Sequence, residues 1–450
     1  MTRGIVRWSG RLVVPVVVTA LVLGSAAMAR ADEPSAPEEP PAPPPSVAWT
    51  RASASGPIGT QVTLTGAAAD LPQGATVRLQ RLGKDWTNTG GLGVDGPRLT
   101  VRLRTAVDPI RLRLQAVDAA GTVLATSGAA TVTGTRIATS LRLQSPSRVV
   151  DYRKARFVAS WKAAHGPAPT GSVRLEFRKA GTKTWRKART ISVRNGTGAV
   201  AFAPRNDGRY RLRFAGTRTY AKATSATRAL DNLPPGTRVV LPRGAPRPSS
   251  LPAQPRASRK AADAKISKLS DSVWKSMKGR SWHSGCPVGR KDLRIVRVNY
   301  WAFDGYVRRG EIVVHRKVAG KTARAFTAMF KGKHPIRNMY RVDRFGWSKS
   351  LQGADDRKSM RADNTSGFNC RKVVGRSVRS PHAYGRAIDV NPWENPFHSS
   401  GGWVPNRWFV THASPARVTW RSSSDPVVKL MRKHGFRWSY GRSDMHHFDG

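Results

Sequence analysis

The chain has 450 residues, with 78 lysines and arginines against only 27 aspartates and glutamates, and its formal net charge is +51. The basic residues are spread through every segment, and no zinc finger, helix-turn-helix or aromatic RNA-binding signature accompanies them. The charge therefore predicts attraction to polyanions, and it argues against a dedicated reader of nucleic-acid sequence.

The N-terminal residues 1–31 have the features of a signal peptide. Arginines come first, an apolar run follows, and the segment ends in the small-residue pattern Ala29-Arg30-Ala31. A permanent membrane anchor is the alternative, but Pro15 and Gly24 interrupt an apolar run that is short for a span of about 20 residues. We expect cleavage after Ala31 and a secreted protein associated with the cell wall, without a permanent membrane span.

Removal of that segment takes away four arginines and no acidic residue, so the mature charge is 51 − 4, or +47. For an exported protein, anionic cell-wall polymers are the nearest partners for such a charge, and no specific nucleic acid is expected.

Two Pro-rich tracts divide the mature chain. Residues 32–46 predict an extended spacer, and residues 232–260 predict a second, basic linker. Between them, short runs that alternate apolar and polar residues indicate antiparallel strands. A weak internal repeat is offset by 95 to 99 residues and matches Val62, Val77 and Trp86 with Phe157, Val173 and Trp185. This pattern predicts two immunoglobulin-like β-sandwiches, at 47–135 and 136–231, that act as spacers or wall-binding modules.

Residues 261–450 mix helical and strand patterns and predict one α+β domain with a small antiparallel sheet. Apolar residues from Ile266 to Met277 recur at helical spacing before Gly279. The stretch 293–315 predicts two strands with turns at Asp304-Gly305 and Arg309-Gly310. Two more helices are expected, within 321–332 and within 424–435, the latter with Asp425 as its cap.

Cys286 and Cys370 are the only cysteines. In an oxidising compartment, two lone cysteines in one domain predict a disulfide bond. A Cys2His2 metal site is the alternative, but the wide separation and the lack of a C-x2-C pair disfavour it.

The C-terminal region also carries a set of metal-ligand residue types. Asp389 lies in the apolar run "AIDV", where a buried carboxylate needs a partner such as a cation. His382 precedes it by seven residues, and Asp444, His446 and His447 lie near the end of the chain. Catalytic zinc takes three protein ligands and leaves a position for water, and a nearby carboxylate can accept the proton of that water. The residues alone leave open which of the two adjacent histidines is the ligand.

The motifs "SxHxxGxAxD" (380–389) and "DxxHF" (444–448) together resemble the zinc D-alanyl-D-alanine carboxypeptidase and L-alanyl-D-glutamate endopeptidase superfamily. The stretches "ADNTSGFNCR", "AIDVNPWENP" and "GFRW" resemble its actinobacterial branch, and the likeness covers roughly 260–450. The family's "GFxWGGxW" is replaced here by "GFRWSYGRS", and the final acid is Asp rather than Glu.

The resemblance implies a set of site residues. It assigns zinc to His382, Asp389 and His447, and it makes Asp444 the general base. It also implies a basic residue upstream of the first motif that binds the substrate carboxylate or the oxyanion. Arg371 is the best match, among Arg361, Arg376 and Arg379, which crowd the same stretch. We further expect Ser380 and Tyr384 to bind substrate.

These observations predict a secreted zinc metallopeptidase that hydrolyses peptidoglycan stem peptides, as a D-Ala-D-Ala carboxypeptidase or an L-Ala-D-Glu endopeptidase. The alternative is a non-catalytic wall-binding protein with a metal-stabilised peptidase-like domain. The intact set of ligands and base favours the enzyme.

Overall fold

The structure is a computed structural model that describes residues 41–92, 96–373 and 377–450. The predicted signal peptide lies outside the described residues, as does most of the predicted spacer at 32–46. Strands hold 41% of the residues and helices 14%, so β-structure dominates, as the alternating sequence pattern predicted. Among the described residues, none of the helices is long and apolar enough to cross a membrane.

Contacts divide the chain into two compact units, and the first contains most of the N-terminal β-domain. In this domain β1 pairs with β3, and β4 pairs with both β5 and β7. Val77, Leu99 and Leu114 point inward and share one buried core. The nine strands are β1 (Ser46–Arg51), β2 (Ser53–Pro57), β3 (Gln61–Ala69), β4 (Thr76–Leu82), β5 (Trp86–Leu92), β6 (Arg98–Arg104), β7 (Ile110–Val117), β8 (Val123–Thr126) and β9 (Ala130–Thr135).

A second β-domain follows, and it belongs to the other compact unit. Its strands are β10 (Thr139–Gln144), β11 (Arg148–Val150), β12 (Ala155–Ala163), β13 (Gly171–Lys179), β14 (Arg186–Val193), β15 (Thr197–Phe202), β16 (Gly208–Phe214), β17 (Ala223–Thr224) and β18 (Arg228–Leu233). One sheet has the order β10-β12-β15, and the other has the order β11-β18-β16-β13-β14, with β17 on β16. Phe157 and Trp161 of the first sheet share a buried core with Leu175 and Leu212 of the second. This arrangement is consistent with a β-sandwich, and its immunoglobulin-like topology stays a prediction.

The predicted linker at 232–260 is not a free spacer. Residues 232 and 233 complete β18, and the backbone N–H groups of Val239 and Ala257 donate to carbonyls of the C-terminal domain, at 2.8 and 2.9 Å. The side chain of Gln254 is 4% exposed. Prolines hold such a segment extended, and the amides between them remain free to pair with a neighbouring surface. The segment therefore forms part of the wall of the C-terminal domain.

The C-terminal domain has mixed structure, as predicted. Its strands are β19 (Lys265–Ser267), β20 (Leu293–Trp301), β21 (Val307–His315), β22 (Trp347–Ser348), β23 (Gly353–Ala354), β24 (Ala387–Asp389), β25 (Phe397–Ser399), β26 (Gly402–Val404) and β27 (His447–Asp449). Its helices are α1 (Asp271–Met277), α2 (Arg316–Lys331), α3 (Asp356–Arg361), α4 (Trp408–Thr411) and α5 (Pro426–Lys433). The antiparallel sheet β19-β20-β21 packs against α2, and Phe326 of α2 shares one buried core with Met431 of α5 and Phe448 of β27.

Two details of the sequence prediction are wrong. Ile266 lies in β19, opposite Val296, and α1 begins only after Ser270, whose hydroxyl accepts a hydrogen bond from the N–H of Val273. Gly310 lies inside β21 and not in a turn. A Cβ atom at that position would lie 2.7 Å from the sulfur of Met339, so the glycine allows close packing and does not mark a chain reversal.

We expect Gln254→Ala to destabilise the C-terminal domain, because this side chain satisfies three buried groups. Its Nε2 donates to the carbonyl of Met339 at 2.8 Å, and its Oε1 accepts from the hydroxyl of Tyr300 at 2.7 Å and from the N–H of Met339 at 2.9 Å. Loss of such a buried network costs about 1–3 kcal/mol, which urea unfolding would measure. Ser250→Ala, at an exposed position of the same segment, is the control, and equal stability of the two variants would contradict the structural role of Gln254.

Candidate active site

The short antiparallel pair β24–β27 brings two site residues face to face. Asp389 lies directly opposite His447 in the register of this pair, and the neighbouring Ile388 and Phe448 are fully buried. Both apolar side chains point to the core, so alternation along each strand directs Asp389 and His447 to the opposite face. The "AIDV" and "HHF" patterns thus fix the orientation of both ligand candidates.

His382 is positioned by a tight 3-10 turn, Pro381–Tyr384. Ser380 precedes it, and the Ser380 hydroxyl accepts a hydrogen bond from the N–H of His382 at 3.3 Å. Gly385 ends the turn with a φ of 66°, where L side chains are disfavoured. A Cβ atom there would also lie 2.8 Å from the backbone nitrogen of His315. Only glycine lets the turn close against the end of β21.

The three side chains converge on one point. His382 Nε2, Asp389 Oδ1 and His447 Nδ1 lie 3.2 Å from one another in each pairing. All three residues are buried, with at most 4% exposure. The second nitrogen of each imidazole has its own partner: His382 Nδ1 donates to the carbonyl of Gly367 at 2.7 Å, and His447 Nε2 donates to Asp449 Oδ1 at 3.1 Å. Each inner nitrogen therefore faces the point of convergence. Burial opposes protonation of His447, yet its hydrogen bonds to Asp389 and Asp449 raise its pKa to about 10, so a cation that binds there would displace a proton.

This donor set fits zinc. Ligand bonds of about 2.0–2.1 Å in a tetrahedral site place ligand atoms about 3.3 Å apart, close to the 3.2 Å separations seen here. Two imidazoles and one carboxylate are typical zinc ligands, and oriented outer partners are characteristic of such sites. Burial opposes ionisation of Asp389, yet the charges of His382 and His446 hold the pKa of that carboxyl well below its usual range.

Asp444 and His446 complete the wall of the site. His446 is 3% exposed, and its Nδ1 donates to the carbonyl of Asn395 at 2.7 Å. Its Nε2 lies 3.2 Å from Asp444 Oδ1 and 3.8 Å from Asp389 Oδ1. Burial raises the pKa of Asp444, and His446 and His447 oppose that rise. The Asp444 side chain keeps 24% of its surface exposed, whereas its Oδ1 is buried and makes no hydrogen bond among the described residues.

Comparisons with known proteins support this interpretation of the C-terminal region. Residues 374–450 match the family model described as D-alanyl-D-alanine carboxypeptidase. The resemblance to this peptidase family is confirmed. The matched segment contains all of the residues that converge on the site.

Two further comparisons add no functional information. No curated protein sequence matches the chain. A solved structure titled "Structures of Clostridium thermocellum CbhA fibronectin(III)-like modules" matches with 14% identity and a TM-score of 0.17, over 41% of this chain and 91% of that chain. This TM-score is too low to support an argument about the fold.

The residues predicted to contact substrate occupy different environments. Tyr384 is 45% exposed next to His382, whereas Ser380 is 3% exposed and its hydroxyl caps the turn that carries His382. The Ser380 hydroxyl thus helps to position His382, and its contact with substrate stays a prediction. Arg371 is largely buried, and its Nη2 lies 2.7 Å from Asp356 Oδ2, so its charge already has a partner.

The other arginines that competed with Arg371 are also placed, with one exception. Arg379 donates to the carbonyl of Gly285 at 2.6 Å. Arg361 is exposed at the end of α3. Arg376 lies outside the described residues. Arg371 keeps one buried N–H, at Nε, without a hydrogen-bond partner among the described residues, so it remains the best candidate for an oxyanion contact.

The two cysteines form the predicted disulfide bond, with their Cα atoms 5.9 Å apart. His283 lies next to them, but both sulfur atoms are used in the bond, so the alternative of a metal site there is wrong. The bond holds residues 281–286 against Cys370, beside Arg371. The N–H of Cys370 also donates to the carbonyl of Ser281 at 2.9 Å.

Sequence reasoning missed several residues that support the site. Asp449 is one, although its position two residues after His447 on the same strand was a usable signal. Tyr440 is another; it is 47% exposed, and its ring lies 5.2 Å from that of His447. No sequence signal identified the carbonyl of Gly367, because any residue type can supply a backbone acceptor.

A buried charge cluster lies behind the "DVNPWENP" motif. Arg337 donates to Asp363 Oδ2 at 2.8 Å and to Glu394 Oε1 at 2.6 Å, and both carboxylates are fully buried. The N–H of Trp393 donates to the other oxygen of Asp363 at 3.0 Å. One guanidinium cannot balance two buried carboxylates. Burial, followed by the charge of Asp363, raises the pKa of Glu394 well above its usual range, and Arg337 opposes this shift.

We predict separate effects for the two adjacent histidines. His447→Ala removes one of the three converging donors and should abolish stoichiometric zinc binding, measured by metal analysis after dialysis. His446→Ala leaves those donors in place but removes the neighbour of Asp444, so zinc should be retained while hydrolysis falls by roughly 10- to 100-fold, as is typical when an outer partner is lost. Loss of zinc in His446→Ala with retention in His447→Ala would reverse the ligand assignment.

We also predict that Glu394→Gln becomes more stable relative to the wild type as the pH rises. The raised pKa means that the folded protein keeps a proton that the unfolded chain releases above the usual glutamate range, so the wild type loses stability from about pH 4 upward. Glutamine cannot ionise, so the variant does not lose stability in this way as the pH rises. Urea unfolding at pH 5 and pH 8 would measure the difference, with the exposed Asp271→Asn as control, and parallel pH profiles of wild type and Glu394→Gln would contradict the prediction.

Proposed function

We propose that the C-terminal domain is a zinc-dependent peptidase that hydrolyses peptidoglycan stem peptides, as a D-Ala-D-Ala carboxypeptidase or an L-Ala-D-Glu endopeptidase. The observation that carries this proposal is the convergence of His382, Asp389 and His447 within 3.2 Å, with the outer nitrogen of each imidazole already engaged. The family match over 374–450 supports the reaction class.

His382 Nε2, Asp389 Oδ1 and His447 Nδ1 would hold the ion. Bound zinc would supply an activated water and would polarise the scissile carbonyl. The outer hydrogen bonds to Gly367 and Asp449 keep both imidazoles in the ligand tautomer and fix their orientation.

Asp444 is the proposed general base. Its side chain is partly exposed, and its buried Oδ1 makes no hydrogen bond among the described residues, so this oxygen could accept a proton from a water molecule in the site. Its pKa is raised by burial, which makes it a better proton acceptor than an ordinary aspartate. It would take a proton from the attacking water and return it to the leaving amine, and His446 would hold it in place.

The peptide would bind along the exposed side of the site. Tyr384 and Tyr440 are both nearly half exposed, and each adjoins a proposed ligand, Tyr384 by sequence and Tyr440 by ring contact. Tyrosine offers an apolar ring and a hydroxyl to a bound peptide. Arg371, fixed by Asp356, is the proposed contact for the oxyanion or the substrate carboxylate.

Secretion and location at the cell wall belong to the same proposal. They are supported by the signal-like residues 1–31 and by the mature charge of 51 − 4, or +47. A cationic protein would concentrate at a wall that carries anionic polymers, close to the peptides it cuts.

Asp444→Asn tests the proposed chemistry directly. The amide keeps the size of the side chain and cannot accept a proton, so zinc should remain at one ion per chain while hydrolysis of muropeptides falls by at least about 100-fold. Mass spectrometry of the products would also identify the bond that is cut. Asp271→Asn, at an exposed position, should behave like the wild type. Zinc binding without hydrolysis by the wild-type chain would contradict the proposed activity. Absence of bound zinc would contradict the proposed metal site itself.

A further inference from the structure

The larger sheet of the second β-domain carries a charged outer face that the peptidase function does not use. Leu175 and Leu212 point to the core, so alternation directs their neighbours outward. In the register of β13 and β16, Arg174 lies opposite Arg213, Glu176 opposite Arg211, and Arg178 opposite Arg209. We call this set the arginine face, and it also includes Lys187 of β14, which lies opposite Glu176.

This face contains one carboxylate, that of Glu176, and six cationic side chains. Glu176 accepts a bond from Arg211 Nε at 2.9 Å, and its side chain is 5% exposed. Arg174 and Arg213 lie 4.0 and 3.9 Å from the same carboxylate, beyond hydrogen-bond reach, and more than half of each side chain is exposed. Within the described part of the chain, the guanidinium groups of Arg174 and Arg213 make no hydrogen bond, so they are available to bind an anion.

The arrangement is unfavourable for the sheet by itself. Like charges directly opposite one another destabilise an antiparallel pair, and the arginine face contains two such pairs, Arg174 with Arg213 and Arg178 with Arg209. A bound polyanion would relieve this repulsion. The forked guanidinium group also suits recognition of phosphate or carboxylate oxygens.

A tryptophan supports the face, and a related arrangement recurs in the first β-domain. The guanidinium groups of Arg211 and Arg178 lie over the ring of Trp185, at 4.2 and 5.1 Å. In the first domain, Arg113 lies 4.6 Å over Trp86 and donates to Gln80 at 2.7 Å. Gln80 and Arg113 are opposite each other there, as Glu176 and Arg211 are here. Both domains thus share an arginine stacked on a tryptophan and bonded to the residue opposite it, and the second domain surrounds this arrangement with further arginines.

We propose that the arginine face binds a linear polyanion of phosphodiester groups without bases, such as an anionic wall polymer. Alternate residues along a strand are about 7 Å apart and neighbouring strands about 4.8 Å apart, so the guanidinium groups form rows that a flexible chain of regularly spaced charges can follow. Single-stranded nucleic acid is disfavoured, because its binding sites offer aromatic rings for base stacking. The ring of Trp185 is instead covered by arginines. This inference goes beyond the peptidase activity and does not depend on it.

Binding of short poly(glycerol phosphate) to the mature full-length chain tests the proposal. The triple variant Arg174→Gln, Arg209→Gln, Arg213→Gln removes exposed guanidinium groups and keeps the Arg211–Glu176 pair. The matched control is Arg142→Gln, Arg156→Gln, Arg194→Gln, which removes the same charge from exposed positions of the same domain. We expect the face variant to bind about tenfold or more weakly at 0.15 M salt. We also expect the slope of log affinity against log salt concentration to become shallower by about 2, because about two fewer counterions are released. The control should change affinity by less than about twofold.

Three results would overturn the proposal. Equal loss in both triple variants would mean that diffuse charge, and not this face, holds the polymer. Tighter binding of oligo(dT) of matched charge would favour nucleic acid. Equal binding of polyglutamate would show that phosphodiesters are not preferred. Urea unfolding separates binding from folding, because removal of opposed arginines should leave the face variant at least as stable as the wild type.

Discussion

The site depends on one backbone constraint, the antiparallel pairing of β24 with β27. Three residues on each strand place Asp389 opposite His447 and bury Ile388 and Phe448 behind them. A shift of β27 by one residue relative to β24 would turn Phe448 toward the site and His447 into the core. The N–H of Gly450 donates to the carbonyl of Arg386 at 2.7 Å, which extends the pairing to the last residue of the sequence. The terminal "HHFDG" therefore contains a structural strand, and the pairing of that strand determines the position of His447.

Two of the three groups that orient the histidines of the site, the carbonyls of Gly367 and Asn395, lie outside the turn and strand that carry those histidines. The carbonyl of Gly367 orients His382, that of Asn395 orients His446, and Asp449 orients His447. Gly367 also packs closely against β21, where a Cβ atom would lie 2.5 Å from the carbonyl oxygen of Val313. The rigid hairpin β20–β21 thus supports the loop that orients the first ligand. This dependence explains why a site of a few residues requires the packing of a whole domain around it.

The sequence was informative where a physical pattern was local. Alternation predicted the β-domains, and two lone cysteines predicted their bond. The resemblance of the two C-terminal motifs to the carboxypeptidase family selected the three residues that converge, although their roles as ligands remain a proposal. Prediction failed where tertiary packing decides. Ile266 fits a helical pattern but pairs in β19, and Gly310 has the appearance of a turn residue but is required by Met339. The Pro-rich composition of residues 232–260 indicated a free linker, because composition does not show which backbone amides find partners on a neighbouring surface.

That same segment links the two functions proposed for the chain. Arg205, which pairs with the buried Asp151 at 2.8 Å, also donates to the carbonyl of Ala257 at 2.7 Å, and the hydroxyl of Tyr152 donates to the same carbonyl at 2.9 Å. Arg256 and Tyr306 reach back to Asn232 at the end of β18. These contacts join the β-domain that carries the arginine face to the domain that carries the proposed metal ligands, through partly buried hydrogen bonds and not through a flexible tether. A polymer held on the arginine face would therefore keep the chain at the cell wall, where the proposed substrate peptides are concentrated. It would also restrict the distance between the polymer and the proposed metal site. A flexible linker would also attach the two domains to each other, but it would not restrict the distance between them, because the end-to-end distance of such a linker varies widely.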